Sequence, residues 1–150
     1  MPALTVPTQF GPLTLFEQDG AIVRVQWDGD HADDTPLLTE AAGQLRAYDA
    51  GTLTQFDLPL RVAGSDFQRA VCDQIAAIPF GETVTYGDIA RALGQSAQAV
   101  GNACGGNPIP VIIPCHRVMG AKGLTGFSGK GGVETKVALL RHEGAAALLI

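Results

Sequence analysis

Residues 85–103 read TYGDIARALGQSAQAVGNA, and this stretch predicts two short helices joined by a turn. Apolar residues recur at helical spacing on both sides of Gly94, a residue type that commonly ends helices. Thr85 and Asp88 have the three-residue spacing of a capping box, and Ser96 is a suitable N-cap for the second helix. The pattern therefore predicts a helix-turn-helix, a motif that in isolation is typical of DNA-binding regulators.

The loop that follows, Ile113-Pro114-Cys115-His116-Arg117-Val118, places a thiol next to an imidazole. Residues 107–112 lead into it as a strand-like segment, and their two prolines disfavour a helix. We therefore expect Cys115 to be held in place, in a setting typical of a nucleophile. A cysteine without such neighbours is more often a small buried apolar residue, which is what we expect of Cys72.

Two further helices are predicted on either side of this region. One begins at Ser65, which serves as its N-cap. The other spans residues 134–143 and has Val137 and Leu140 on its buried face, with Leu139 as a further candidate. Residues 120–132 are rich in glycine, so the backbone between the cysteine and the last helix can pass close to a ligand.

The first part of the chain has the pattern of a small antiparallel sheet. Leu13–Trp27 alternates apolar and polar residues around Asp19-Gly20, a pair suited to a tight hairpin turn. Thr35 followed by Pro36 predicts the start of a helix. Leu58-Pro59-Leu60 is interpreted as a short edge strand.

These patterns predict a fold of class α/β plus mostly α, with a first domain over residues 1–62 and a second over residues 65–150. The charge divides in the same way. Residues 1–64 carry three basic and nine acidic groups, a net of −6, whereas residues 65–150 carry seven and six, a net of +1. Only the second part suits a polyanion, and its modest basic density predicts weak, salt-dependent affinity for DNA.

The composition excludes several other classes of protein. A chain of 150 residues, 46% of them hydrophobic, is long enough for a folded core. No apolar run approaches the roughly 20 residues of a membrane span, and the start MPALT lacks the order of a signal peptide, so we expect a cytoplasmic protein without membrane contact. The three cysteines have no CxxC spacing and no histidine at zinc-finger intervals. We expect reduced thiols and neither a metal nor a cofactor.

The helix pair, then Asn107-Pro108, then Pro114–Val118 resembles the O6-alkylguanine-DNA alkyltransferases, also called methylated-DNA-protein-cysteine methyltransferases. The resemblance covers essentially all of residues 65–150 and matches the first part in outline only. It implies a small RNase H-like domain followed by a winged-helix-like domain that binds alkylated double-stranded DNA. It also implies direct-reversal repair, in which the protein takes the methyl group from O6-alkylguanine, with O4-alkylthymine as a further candidate, once per molecule.

The resemblance implies a role for each residue of the reactive site. Cys115 attacks the alkyl carbon, His116 relays its proton through a water, and Glu143 stabilises the resulting imidazolium. Asn107 orders the turn beside the cysteine, and Tyr86 contacts the flipped nucleotide.

The same resemblance implies the surfaces that meet DNA and the base. The second helix enters the minor groove, and Gln98 stands where the family has an arginine that fills the gap left by the flipped base. We therefore predict retained reaction with weaker duplex binding. The implied DNA contacts are Tyr86, Ala97, Gln98, Ala99, Gly101 and Arg117. The implied pocket residues are Cys104, Val118, Phe127 and Ser128.

Two other functions stay open at this point. One is a non-catalytic alkyltransferase-like protein that binds the lesion and recruits other repair factors, although that group typically has tryptophan at the position of Cys115. The other is a DNA-binding regulator, which would need an additional domain. We expect a monomer, since engaging one damaged base requires no partner subunit.

Overall fold

The computed structural model describes residues 1–120 and 132–145, and the chain divides into two units, Met1–Ala63 and Gly64–Ile150. The first unit contains a three-stranded antiparallel sheet in the order β1-β2-β3. Its strands are β1 (Ala3–Val6), β2 (Leu13–Gln18) and β3 (Ala21–Trp27). The predicted hairpin is confirmed: Asp19 and Gly20 join β2 to β3 with φ of 51° and 79°, as a type I′ turn requires.

Helix α1 (Pro36–Asp49) covers this sheet with an apolar face. The predicted start is confirmed, because the Thr35 side chain accepts a hydrogen bond from the Leu38 amide at 3.0 Å and Pro36 is the first helical residue. The predicted edge strand at residues 58–60 is wrong. Leu60 forms only a single bridge to Ile22, since a proline at position 59 has no amide proton with which to extend the pairing.

The second unit is built mainly from helices. They are α2 (Asp66–Ala76), α3 (Tyr86–Leu93), α4 (Ala97–Gly105) and α5 (Val133–His142). Two short strands, β4 (Val84–Thr85) and β5 (Val118–Met119), pair in parallel. A single 3₁₀ turn, Cys115–Arg117, leads directly into β5.

The predicted helix pair is confirmed in its local details. Thr85 and Asp88 form a reciprocal capping box, with hydrogen bonds of 2.9 and 3.0 Å between each side chain and the other residue's amide. Gly94 ends α3 in the left-handed conformation, with φ of 65°, and the Ser96 hydroxyl caps α4. Helices α3 and α4 pack against each other across this turn.

The segment before the cysteine differs from its prediction. Residues 107–112 form turns rather than a strand, with one bridge between Pro110 and Ile113 and a φ of 72° at Val111. The physical reason is the Asn107 side chain, which donates to the Ile113 carbonyl at 2.8 Å and accepts from the Ile109 amide at 3.0 Å. These bonds replace the backbone pairing that a strand would offer.

Helix α5 was predicted correctly in position, and its buried face was predicted in part. Leu140 and Leu139 are buried as expected, whereas Val137 is only half-buried and Lys136 is buried instead. The aliphatic stem of a lysine packs like an apolar side chain when its amine finds a partner. Within residues 1–120 and 132–145, no helix combines the length and the apolar character needed to cross a membrane.

Candidate active site

Cys115 is held by a short network of backbone and amide hydrogen bonds. Its amide donates to the Ile113 carbonyl at 2.8 Å, and the Asn107 side chain donates to that same carbonyl. Pro114 precedes the cysteine and restricts the backbone on its N-terminal side. The side chain of Cys115 is buried, with 6% exposure. These hydrogen bonds and Pro114 therefore hold the Cys115 thiol in a fixed, buried position.

His116 and Glu143 form a fully buried pair, although they are far apart in sequence. The histidine follows the cysteine in the 3₁₀ turn, and the glutamate caps the C-terminal end of α5. His116 Nε2 lies 2.7 Å from Glu143 Oε2, and both side chains have no exposed surface. Nδ1 of the histidine makes no hydrogen bond to any residue in the described part of the chain. A neutral imidazole can therefore donate from Nε2 to the carboxylate and accept a proton on Nδ1.

Arg117 lies in the same buried cluster. Its Nε donates to Glu143 Oε1 at 2.7 Å, and its Nη2 donates to Glu143 Oε2 at 3.0 Å. Nη1 donates to the Ile78 carbonyl at 2.7 Å, and the guanidinium lies 5.8 Å from the centre of the Phe80 ring. This placement corrects the prediction that Arg117 contacts DNA. The side chain is directed inward because Glu143 and Ile78 satisfy its donors there.

Lys136 is a buried cation that the sequence reasoning missed. Its amine donates to the Val118 carbonyl at 2.6 Å, and the residue is 1% exposed. Burial lowers the pKa of Lys136, while the negative charge that Cys115 and Cys104 carry in their thiolate forms opposes that shift. The sequence signal for its burial was its position on α5, one turn before Leu139 and Leu140 and on the same face of the helix.

The resting protonation states follow from this environment. Burial raises the pKa of the Cys115 thiol, and the Asn107 hydrogen bond and the Lys136 charge oppose that rise. Burial lowers the pKa of His116; Glu143 opposes this shift, and Arg117 and Lys136 add to it. The site therefore holds a thiol next to a neutral imidazole. A reaction at sulfur needs the imidazole to accept the thiol proton.

The predicted pocket residues lie partly beside this cluster. Cys104 is buried in the last turn of α4, and burial together with the neighbouring Cys115 raises its pKa to about 12. Val118 is buried directly after the 3₁₀ turn and binds Lys136 through its carbonyl. Phe127 and Ser128 lie outside the described residues.

The predicted DNA contacts on the helix pair are spread over an accessible surface. Ala97 and Gln98 are exposed at the start of α4, Ala99 and Gly101 are half-exposed, and Tyr86 is half-buried at the start of α3. Helix α4 contains no charged residue. Most side chains in the exposed first turn of α4 are small, so this end of the helix has a small cross-section.

Comparisons with known proteins agree with this geometry. Residues 66–145 match the family model described as 6-O-methylguanine DNA methyltransferase, DNA binding domain. A relative from Mycobacterium bovis, named methylated-DNA–protein-cysteine methyltransferase, is 42% identical, with 95% of this chain and 92% of the relative covered. A constitutive methyltransferase of that name from Bacillus subtilis is 38% identical, with 93% of each chain covered.

Solved structures are similar over nearly the whole chain. The structure of Mycobacterium tuberculosis OGT in complex with DNA superposes with a TM-score of 0.87 at 40% identity, covering 97% of this chain and 94% of that one. This similarity supports the mixed α/β fold of the present structure.

Proposed function

The chain belongs to the 6-O-methylguanine DNA methyltransferase family, and we propose that Cys115 is the residue that accepts the alkyl group. The protein repairs DNA by direct reversal, transferring the alkyl group of O6-alkylguanine to one of its own cysteines. The alternative of a non-catalytic lesion binder is not favoured, because the curated relatives are methyltransferases. The observation that carries the assignment to Cys115 is its position beside the buried His116–Glu143 pair.

The proposed reaction is a displacement at the alkyl carbon. The Cys115 proton moves to His116 through a water and leaves a thiolate. The thiolate sulfur forms a bond to the alkyl carbon while the bond between that carbon and O6 breaks. The electron pair of the broken bond stays on guanine, which takes up a proton and returns to its normal form. The product cysteine is a thioether, so each molecule reacts once.

The remaining site residues take supporting roles in this proposal. Glu143 stabilises the imidazolium that forms on His116, and Asn107 orders the turn that presents Cys115, a role supported by its bond to Ile113. Tyr86 contacts the flipped nucleotide. Cys104, Val118, Phe127 and Ser128 form the base pocket.

The proposed partner is alkylated double-stranded DNA, bound through the helix pair. Ala97, Gln98, Ala99 and Gly101 are its proposed contacts, supported by their exposure along α4. Gln98 supplies hydrogen bonds but no charge, so duplex affinity is expected to be weaker than with an arginine. We propose that residues 1–62 form an RNase H-like domain, that residues 65–150 form a winged-helix-like domain, and that the protein acts as a cytoplasmic monomer.

The test is the intact mass of the purified protein after mixing with a duplex that contains one O6-methylguanine. The expected result is a gain of one methyl group, which peptide mapping assigns to Cys115 and which is absent from Cys115→Ser. Cys72→Ser is the matched control, since it removes another buried free thiol and should still gain the methyl group. Methylation at another cysteine, or binding without any mass gain, would overturn the assignment.

A further inference from the structure

One carboxylate serves two different partners in the core of the second unit. Glu143 binds the His116 imidazole through Oε2 and the Arg117 guanidinium through both of its oxygens. We infer that Arg117 is a positioning residue of the transfer reaction: by holding Glu143, it keeps His116 in the neutral form that accepts the Cys115 proton. This inference rests on the roles proposed for Cys115 and His116.

The guanidinium is anchored independently of the carboxylate. Nη1 donates to the Ile78 carbonyl, and the guanidinium carbon lies over the Phe80 ring, 5.8 Å from its centre. Both anchors belong to the segment after α2, a different element from the one that carries Glu143. A side chain held at three points cannot rotate away when the histidine gains or loses a proton. Arg117 therefore fixes where the carboxylate stands relative to the imidazole.

The charges around His116 show why the arginine matters. Glu143 from the end of α5 favours the imidazolium, whereas Arg117 from the 3₁₀ turn and Lys136 from α5 favour the neutral ring, as burial does. Cys115 precedes His116 in the same turn and is buried with a raised pKa, so it is a neutral thiol at rest. Without the guanidinium, only burial and the charge of Lys136 would oppose the effect of the buried carboxylate on the imidazole. A histidine that is already protonated cannot accept the thiol proton.

The test compares the native chain with Arg117→Met and Arg117→Lys in methyl transfer from O6-methylguanine in duplex DNA, measured as a rate across pH. Methionine keeps an apolar stem against Phe80 but has no charge, and lysine keeps the charge but loses the two-pronged contact. Arg117→Met should move the low-pH midpoint of the rate upward by about one pH unit or more. Arg117→Lys should restore most of the native midpoint.

The protonation of His116 is followed directly by ¹⁵N chemical shifts of labelled histidine. His31→Gln and His142→Gln assign the three histidines. In the native protein His116 should be neutral at pH 6.5, the ordinary midpoint of the group, and its midpoint should rise in Arg117→Met. A native His116 that is protonated at this pH would contradict the inference whether or not Arg117→Met folds.

Two results would overturn the inference: a His116 midpoint that is the same in the native protein and Arg117→Met, or native His116 already protonated at its ordinary midpoint. Failure of the proposed function looks different. In that case the native protein places no methyl group on Cys115 at any pH, while the ¹⁵N titration still reports whether Arg117 controls His116.

Discussion

The two units of the chain treat buried polar groups differently. Among the described residues, Thr14 is the one buried polar residue of the first unit, whereas the second unit buries Asn107, His116, Arg117, Lys136 and Glu143. The first unit is therefore held together by apolar packing between a sheet and a helix. The second carries a buried charge network beside its reactive cysteine, and such networks seldom add stability over an apolar core. The difference indicates that the second unit retains its charges for chemistry.

The largest expected effect comes from removing the charge at the centre of that network. Glu143→Gln should lower the free energy of unfolding by about 3–5 kcal/mol, because it leaves the Arg117 charge buried without a counter-charge. Urea unfolding measures this change. Glu134→Gln, at an exposed position near the start of α5, should have little effect.

A double variant sharpens this prediction. Arg117→Met combined with Glu143→Gln removes both charges, so it should be more stable than Glu143→Gln alone. If Glu143→Gln has the same urea midpoint of unfolding as the native protein, the buried ion pair is not the feature that distinguishes the two units.

The next effect is on the rate of alkyl transfer. Lys136→Met removes the cation that stabilises the Cys115 thiolate while it keeps the apolar stem. The pKa of the thiol should rise, so the thiolate fraction at neutral pH should fall by about tenfold for each unit of that rise, and the transfer rate should fall with it. Ultraviolet titration of the thiolate and the transfer rate are measured together. Arg141→Met, on the exposed side of α5, serves as the control, and an equal loss there would contradict the role of Lys136.

A smaller difference between the two units is expected in how their stability depends on pH. The pKa of His116 is lower in the folded protein, so the unfolded chain binds more protons below the ordinary midpoint of about 6.5. The stability of the second unit should therefore be constant above that pH and should fall as the pH drops below it, by at most ~1.4 kcal/mol per pH unit from this group. Thermal unfolding of wild type and His116→Gln across this range checks the sign. A slope that persists in His116→Gln would assign it to other groups.

The smallest expected effect is in the hairpin of the first unit. Gly20 has a φ of 79°, and no atom lies within 4 Å of an added Cβ, so Gly20→Ala should cost about 1 kcal/mol through backbone conformation alone. Gly43→Ala, inside α1 with equally open space, should instead stabilise by about 0.5–1 kcal/mol. Urea unfolding measures both. The rate at which folded protein takes up methyl groups should not change in either variant, and a lower rate would show that the first unit contributes to the chemistry.

The elements that were predicted well are those whose signals are local. The capping box of Thr85 and Asp88 and the hairpin turn at Asp19-Gly20 each depend on residues within a few positions of one another. Two predictions failed where a side chain changes which hydrogen bonds the backbone can form. Asn107 takes the hydrogen bonds of the segment predicted as a strand, and Pro59 ends the pairing of the predicted edge strand after one bridge.

The amino-acid sequence by itself determined the helix pair, the hairpin and the adjacent cysteine and histidine of the reactive site. Capping, turn formation and the effects of neighbouring residues all act along the chain. Only the tertiary structure decided which charges are buried. Arg117 and Lys136 have the side chains of surface residues, and their burial depends on partners at Glu143 and Val118 that the folded backbone brings to them. A long cationic side chain is stable in the core only where such a partner is already in place, and no local pattern reports that partner.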